Sequence, residues 1–329
     1  MKARPFSRKD LPDLLALIAG NAARRPVGLT QLMTSDLAWQ FPGCAPKHNI
    51  RLWWVANELV AYGWFQPPDT LKFDVHSEMH DPDHTMGLIL GWAEQRRRSF
   101  PPHDPWTLEL RSMDEWAEAI RNPPTGGDAA EQLLVTSALE SDHARIAVLA
   151  GLGFRRSGHH EPVLVCDLRD APPLPPPPDG FTLRHVCESD LEDRVALHSA
   201  AWAPASGFNV DFYRSVRSMR EVFEPELDIV AVAADGTFAS YTIAWIDPVS
   251  RIGSFEPFGT RPEFRGTGVS EAVIYEGFRR MIGRGMTHAR IYTAGFNHQA
   301  ARLYRRCGFR QVDVNRTWVR SSAPAAASG

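Results

Sequence analysis

A mixed α/β protein made of two related halves is what this sequence predicts, and three observations carry that reading. Apolar runs of strand period and of helix period succeed one another along the chain. A proline-rich break, DAPPLPPPPDG at residues 170–180, divides it near the middle. A helix-to-strand segment before the break, DHARIAVLAGLGFR at 142–155, returns late in the second half as NHQAARLYRRCGFR at 297–310. His143, Gly153, Phe154 and Arg155 then fall opposite His298, Gly308, Phe309 and Arg310. Chance is the competing explanation, because helices that stop at Gly-Phe are common. Duplication is favoured by the equivalent places the two segments hold in their halves.

The 329 residues exceed the usual domain size of about 100–200. Residues 1–169 are expected to form one domain and 181–320 another. Between them the prolines of 170–180 hold a stiff, extended linker. The terminal SSAPAAASG, 321–329, offers no large apolar side chain and is expected to be a disordered tail. In the first half the patterns predict a helix near 10–19, strands at 50–55, 59–65 and 71–75, and a helix around 86–97. Residues 113–132, with NPPTGG, read as an insertion. In the second half they predict helices at 190–201 and 210–219 and strands at 228–234 and 238–246 joined by the Asp235-Gly236 turn. A strand at 251–258, a helix at 270–284, a strand at 289–293, a helix at 299–306 and a strand at 311–319 follow.

With 43% hydrophobic and 23% charged residues, both halves have enough apolar side chain for a core. A formal net charge of -3 and a pI near 6.5 provide no broad positive field, so neither nucleic acid nor a membrane surface is an expected partner. Cys44, Cys166, Cys187 and Cys307 are far apart with no CxxC pair, and read as reduced thiols in a cytoplasmic protein. No export signal and no apolar run of membrane-spanning length is visible. His76, His80 and His84 have a suggestive spacing, but Pro82 breaks any helix that would align them, and no metal is expected.

The chemistry concentrates in one strand-turn-helix unit: the strand at 251–258, the loop GTRPEFRGTG, and a helix from about Val269. First-turn amides of a helix lack intrahelical partners, and the macrodipole favours an anion there. Gly266 and Gly268 permit close backbone approach, and Arg265 adds a charge-assisted donor. Alone, such a turn is no different from an ordinary tight one. Followed by NHQAARLYRRCGF, however, it resembles the GNAT superfamily of N-acyltransferases, whose signature is R/Q-x-x-G-x-G/A and, downstream, N-x-x-A-x-x-L-Y-x-x-x-G-F. The first is matched by Arg265, Gly266, Thr267, Gly268, Val269 and Ser270. The second runs from Asn297 through Ala300, Leu303 and Tyr304 to Gly308 and Phe309. The resemblance covers nearly all of the second half and, more faintly, the first.

It implies two tandem GNAT-like acyltransferase domains, each a mixed, mostly antiparallel sheet flanked by helices, acting as monomer or homodimer. It also implies acetyl-CoA as co-substrate, with its pyrophosphate wrapped by Arg265 to Ser270, and a primary amine on a small acceptor. Ser270 departs from the usual Gly or Ala, and weaker cofactor binding is expected from it, although its hydroxyl can donate to a phosphate.

By the same resemblance Tyr304 is the general acid that protonates the departing thiolate, as a phenol with a pKa near 10 can at neutral pH. The alternative is a ring that merely packs. Asn297 is placed to cap its helix and, in the family, to bind pantetheine. The amide near Phe258 polarises the carbonyl. Glu256 is the candidate base, or else a solvated strand-edge carboxylate. Regular alternation puts Glu256 and Phe258 on one face. Trp202, Phe208 and Phe212 are expected at the acceptor entrance. The first half has Leu149 opposite Tyr304, and its loop at 81–87, DPDHTMG, lacks the arginine and the paired glycines. It reads as a degenerate copy kept for packing or for shaping the acceptor cleft. The competing class of function is a non-catalytic acyl-CoA-binding or sensing protein.

Overall fold

A computed structural model describes residues 1–41, 46–101, 110–122, 133–170, 175–204 and 206–321. Cys44, the later part of the expected insertion (123–132), linker residues 171–174 and tail residues 322–329 lie outside the described residues.

The strands are β1 (Lys2–Pro5), β2 (Ile50–Val55), β3 (Glu58–Gln66), β4 (Thr70–Val75), β5 (Leu133–Leu139), β6 (Arg155–Asp167), β7 (Phe181–His185), β8 (Asp228–Ala233), β9 (Phe238–Asp247), β10 (Ile252–Thr260), β11 (His288–Tyr292) and β12 (Arg310–Ser321). The helices are α1 (Leu11–Arg24), α2 (Thr34–Gln40), α3 (Pro46–Asn49), α4 (Pro82–Arg97), α5 (Met113–Arg121), α6 (His143–Gly151), α7 (Leu191–Ala201), α8 (Val210–Arg217), α9 (Val269–Gly283) and α10 (His298–Arg306). Strands β1, β5 and β7 and helices α2 and α3 have no counterpart in the sequence expectation, and α5 occupies the start of the expected insertion.

Among the described residues, the twelve strands join one sheet in the order β1-β2-β3-β4-β5-β12-β6-β11-β10-β9-β8-β7. The order reads alike from either edge when the halves are exchanged, which is what duplication requires. Each half supplies five strands in sequence, and its last strand crosses over: β12 pairs with β5, and β6 pairs with β11. The two crossed strands also pair with each other along most of their length. Separating the halves at the proline-rich segment therefore exposes the backbone edges of β5 and β11. Pairing is antiparallel except for β4 with β5 and β10 with β11. The repeated helices α6 and α10 confirm the internal equivalence in detail. Their caps, Asp142 and Asn297, have φ/ψ of -85/72 and -84/68, and each accepts the amide three residues on at 3.1 Å.

Two cores flank the second half of the sheet. On one face α9 buries Val269, Val273, Ile274, Phe278 and Met281, spaced to form one helical stripe. Each such side chain contributes about 1.5–3 kcal/mol by leaving water. Gly277 lets the helix settle onto Phe255, whose ring a Cβ there would meet at 2.2 Å. On the other face the core is shared between the halves: Leu11, Leu14 and Ile18 of α1 and Leu37 of α2 pack in one cluster with Leu197, Tyr213, Tyr241 and Trp245. Helix α2 also docks on β10 through Ser254, whose hydroxyl donates to that of Ser35 at 2.8 Å.

Candidate active site

Strand β10 leaves its neighbour early. It pairs with β11 only at Ile252, Gly253 and Ser254, and then runs on alone on that side to Thr260. On its other side the register against β9 shifts between Phe255 and Phe258, so that Glu256 and Pro257 together bulge. The extra residue cancels the alternation on which the expectation of one shared face rested. Phe258 turns its ring to the α9 side, edge-on to Tyr304 at 6.1 Å, whereas Glu256 faces the opposite side, toward α2 and β11.

Beyond the splay, Gly266 and Gly268 have φ of 79° and 86°, left-handed values that favour glycine. The amides of residues 266–270 make no hydrogen bond within the described residues, and no side chain caps α9. Unpaired donors at a helix N-terminus suit an anion, and all of these residues except the buried Val269 reach the surface. Pro178 lies against this loop, 3.3 Å from where a Cβ of Gly268 would sit. Thr267 donates its hydroxyl to Phe264 O at 2.8 Å, and Arg265 donates to Thr260 O and Ala201 O at 3.3 and 3.2 Å. The arginine thereby pins the loop to the ends of β10 and α7. The Ser270 hydroxyl turns inward, joined at 2.8 Å to Thr260, whose own hydroxyl lies 2.8 Å from that of Ser240. It accommodates the larger side chain by bonding to the sheet, not by reaching outward.

Tyr304 is 5% exposed, its ring held between Phe258 and Phe309. Burial raises its pKa above the ordinary 10, so it is a neutral phenol at physiological pH. Asn297 caps α10 through its side-chain oxygen.

Glu256 looks into a cavity of about 430 Å³ between the halves, lined from the first half by Gln31, Asp36, Gln40 and Lys72 and from the central strands by Glu161, Arg290, Tyr292 and Asn315, among others. Its Oε2 is sealed from bulk solvent without a hydrogen-bond partner. Desolvation, and secondarily the Asp36 carboxylate, push its pKa up to about 8 against the opposing pull of the Tyr292 hydroxyl and Lys72. Asp36 is itself locked in place: it accepts the Met33 amide at 2.6 Å as the capping acid of α2, and the Tyr292 hydroxyl at 3.2 Å. Glu256 is thus walled in, not a solvated edge residue. Asp36 was not found by sequence reasoning. Its signal was an acid three residues into a short helix, which is also the signal of an ordinary cap. Asp36→Asn, which keeps the cap acceptor, is expected to move the acid limb of any rate profile governed by Glu256 to lower pH. Initial rates across pH check this, and an unmoved limb would disconnect the two carboxylates.

Trp202, Phe208 and Phe212 do not line this cavity. Phe208 stacks on His198 at 4.2 Å and on Trp39 at 5.5 Å, and Trp202 donates its indole N–H to the Tyr241 hydroxyl at 2.9 Å. Phe208 and Phe212 pack against the shared core, and Trp202 stays exposed at its edge. In the first half, the helix matching α9 is α4, whose cap Asp81 accepts the His84 amide at 3.1 Å. A carboxylate occupies the place where the second half presents open amides, and Leu149 is fully buried where Tyr304 stands in the copy.

Crossed twin sheets, a splayed strand pair and an uncapped glycine loop define a tandem acyltransferase fold. Residues 194–309, within the second half, match the acetyltransferase (GNAT) family model. A mycothiol acetyltransferase of Pseudarthrobacter chlorophenolicus is 29% identical over 145 residues, 42% of this chain and 45% of that protein. An uncharacterised N-acetyltransferase of Methanocaldococcus jannaschii is 24% identical over 150 residues, 43% of this chain and 65% of that one. The alignment with the first of these thus spans less than half of that relative's length. Among solved structures, a tandem GNAT protein from the clavulanic acid biosynthesis pathway has a TM-score of 0.67 at 15% identity, covering 98% of this chain and 99% of that one. A GCN5-related N-acetyltransferase from Sphaerobacter thermophilus has a TM-score of 0.60 at 19% identity, covering 98% and 96%. Among the described residues no helix is long and apolar enough to cross a membrane.

Proposed function

We propose that this chain transfers an acetyl group from acetyl-CoA to a primary amine of a small acceptor held in the cavity between the halves, by direct attack with both substrates bound. The observation that carries the reading is the splay of β10 from β11, with open amides at its far end and Glu256 and Tyr304 on its two sides. The amides of 266–270 would take the pyrophosphate, and the freed edge of β10 would pair with pantetheine amides. The Phe258 amide would donate to the thioester oxygen, where negative charge grows as the amine nitrogen bonds to the carbonyl carbon. Glu256 takes the proton from the amine. As the carbon–sulfur bond breaks, Tyr304 gives its proton to the leaving sulfur. The first half lacks the open amides and the phenol, and contributes Asp36 and Lys72 to the acceptor side.

Calorimetry on the intact chain is expected to show one acetyl-CoA site. Gly268→Glu should weaken it at least about tenfold, ~1.4 kcal/mol, by placing a carboxylate where the pyrophosphate sits. Gly268→Ala is the control: it carries the same left-handed backbone cost of about 1–2 kcal/mol without the charge, and should lose melting temperature but less affinity. Undiminished affinity in a folded Glu variant would make the loop an ordinary turn. Thiol release with an amine library tests transfer itself.

A further inference from the structure

Arg290 lies in β11 opposite Ser254, points into the cavity between the halves, and is 5% exposed. Its Nε and one terminal nitrogen have no hydrogen-bond partner, and it forms no ion pair among the described residues. Nearby on the cavity wall, both polar atoms of the Gln31 amide are equally unpartnered. A buried guanidinium with no counter-ion is costly, and a protein keeps one where a ligand supplies the anion. The cavity's other cations are engaged within the protein. Arg145 donates to Ser137 O and Phe73 O, and Lys72 donates to Gln40. The cavity's acidic side chains are Asp36, Glu161 and Glu256, and Asp36 and Glu256 act on each other directly.

From this division of charge we infer that the acceptor is a small amino acid or short peptide, whose carboxylate is held by Arg290 and whose amine lies at Glu256 and Asp36. The spacing agrees. Glu256 is two residues beyond Ser254 on the same face of β10, so the two seats are about 7 Å apart along the strand. The pyrophosphate loop is not the source of the anion, because Thr260 lies six residues beyond Ser254, about 20 Å away. A planar fork with two free donors suits a carboxylate. The inference rests on the acyl-transfer reading only for the fate of the amine, not for recognition of the carboxylate.

The test titrates the intact chain with the common amino acids and glycyl dipeptides, each beside its C-terminal amide, in parallel with acetyl-CoA. At least one acid is expected to bind about tenfold or more tightly than its amide, and Arg290→Gln should bring the pair within about twofold. The variant should melt no lower than wild type, since it removes an unpaired buried charge; a purely structural arginine would lower the melting temperature instead. Acids that bind no better than amides, no saturable binding by any acid, or a preference that survives Arg290→Gln would overturn the proposal. Loss of acetyl-CoA binding with the acid preference intact would instead remove the transferase reading and leave this one standing.

Discussion

Tyr304→Phe is expected to leave acetyl-CoA affinity nearly unchanged and to lower turnover by about 10²–10⁴-fold, equivalent to ~3–5 kcal/mol of barrier. The ring stays packed between Phe258 and Phe309, so what the core gains from it is kept. Only the proton is lost, and burial holds that proton on the phenol at neutral pH. A tyrosine present for packing predicts the reverse. Deleting one hydroxyl would then change stability by about 1 kcal/mol and leave the rate alone. Rates and melting temperatures of the two proteins, measured with an acceptor found in the library, separate these outcomes. Full activity in the Phe variant would remove Tyr304 from the chemistry and leave solvent or Glu256 as the proton source.

The open loop was legible in the sequence because its requirements are local. Left-handed backbone at Gly266 and Gly268 and an uncapped helix start leave a mark in neighbouring residues, and so does the cap at Asn297. The acceptor side was not legible, because it is assembled from separate stretches of chain. Asp36 and Lys72 come from the first half and Glu161, Arg290 and Asn315 from three central strands, brought together by the crossing of β6 and β12. Nothing local announces that crossing: β6 reads as the end of one unit, yet it hydrogen-bonds to the other. The bulge at Glu256 and Pro257 misled in a different way, since alternation assumes an even register and one extra residue sends Phe258 to the opposite face. Trp202, Phe208 and Phe212 carry no such mark, because an apolar side chain fits a core as well as a cleft, and Phe208 stacks on His198 and Trp39.

Glu256→Gln is expected to have the second large effect, and it reads out in two independent ways. In the folded chain the carboxyl holds its proton up to a pKa of about 8, through desolvation and the Asp36 charge on α2, while Tyr292 of β11 and Lys72 of β4 pull the other way. In the unfolded chain it ionises near 4.5. Between those two values the folded state binds more protons than the unfolded one, so this group makes stability fall as pH rises from about 4.5 to 8 and leaves it flat above. The sense is opposite to that of an ion-paired carboxylate. A glutamine keeps the size, cannot ionise, and should remove that slope, so the variant is expected to melt higher than wild type at pH 8 and about equally at pH 4.5. Its turnover should be lower by about 10²–10⁴-fold, the usual worth of a general base, and should lose the limb that in wild type rises toward pH 8. Melting curves and initial rates at matched pH values check both. A variant less stable than wild type at pH 8 would mean that the carboxylate is stabilised in the cavity, and an undiminished rate would remove Glu256 as the base whatever its pKa.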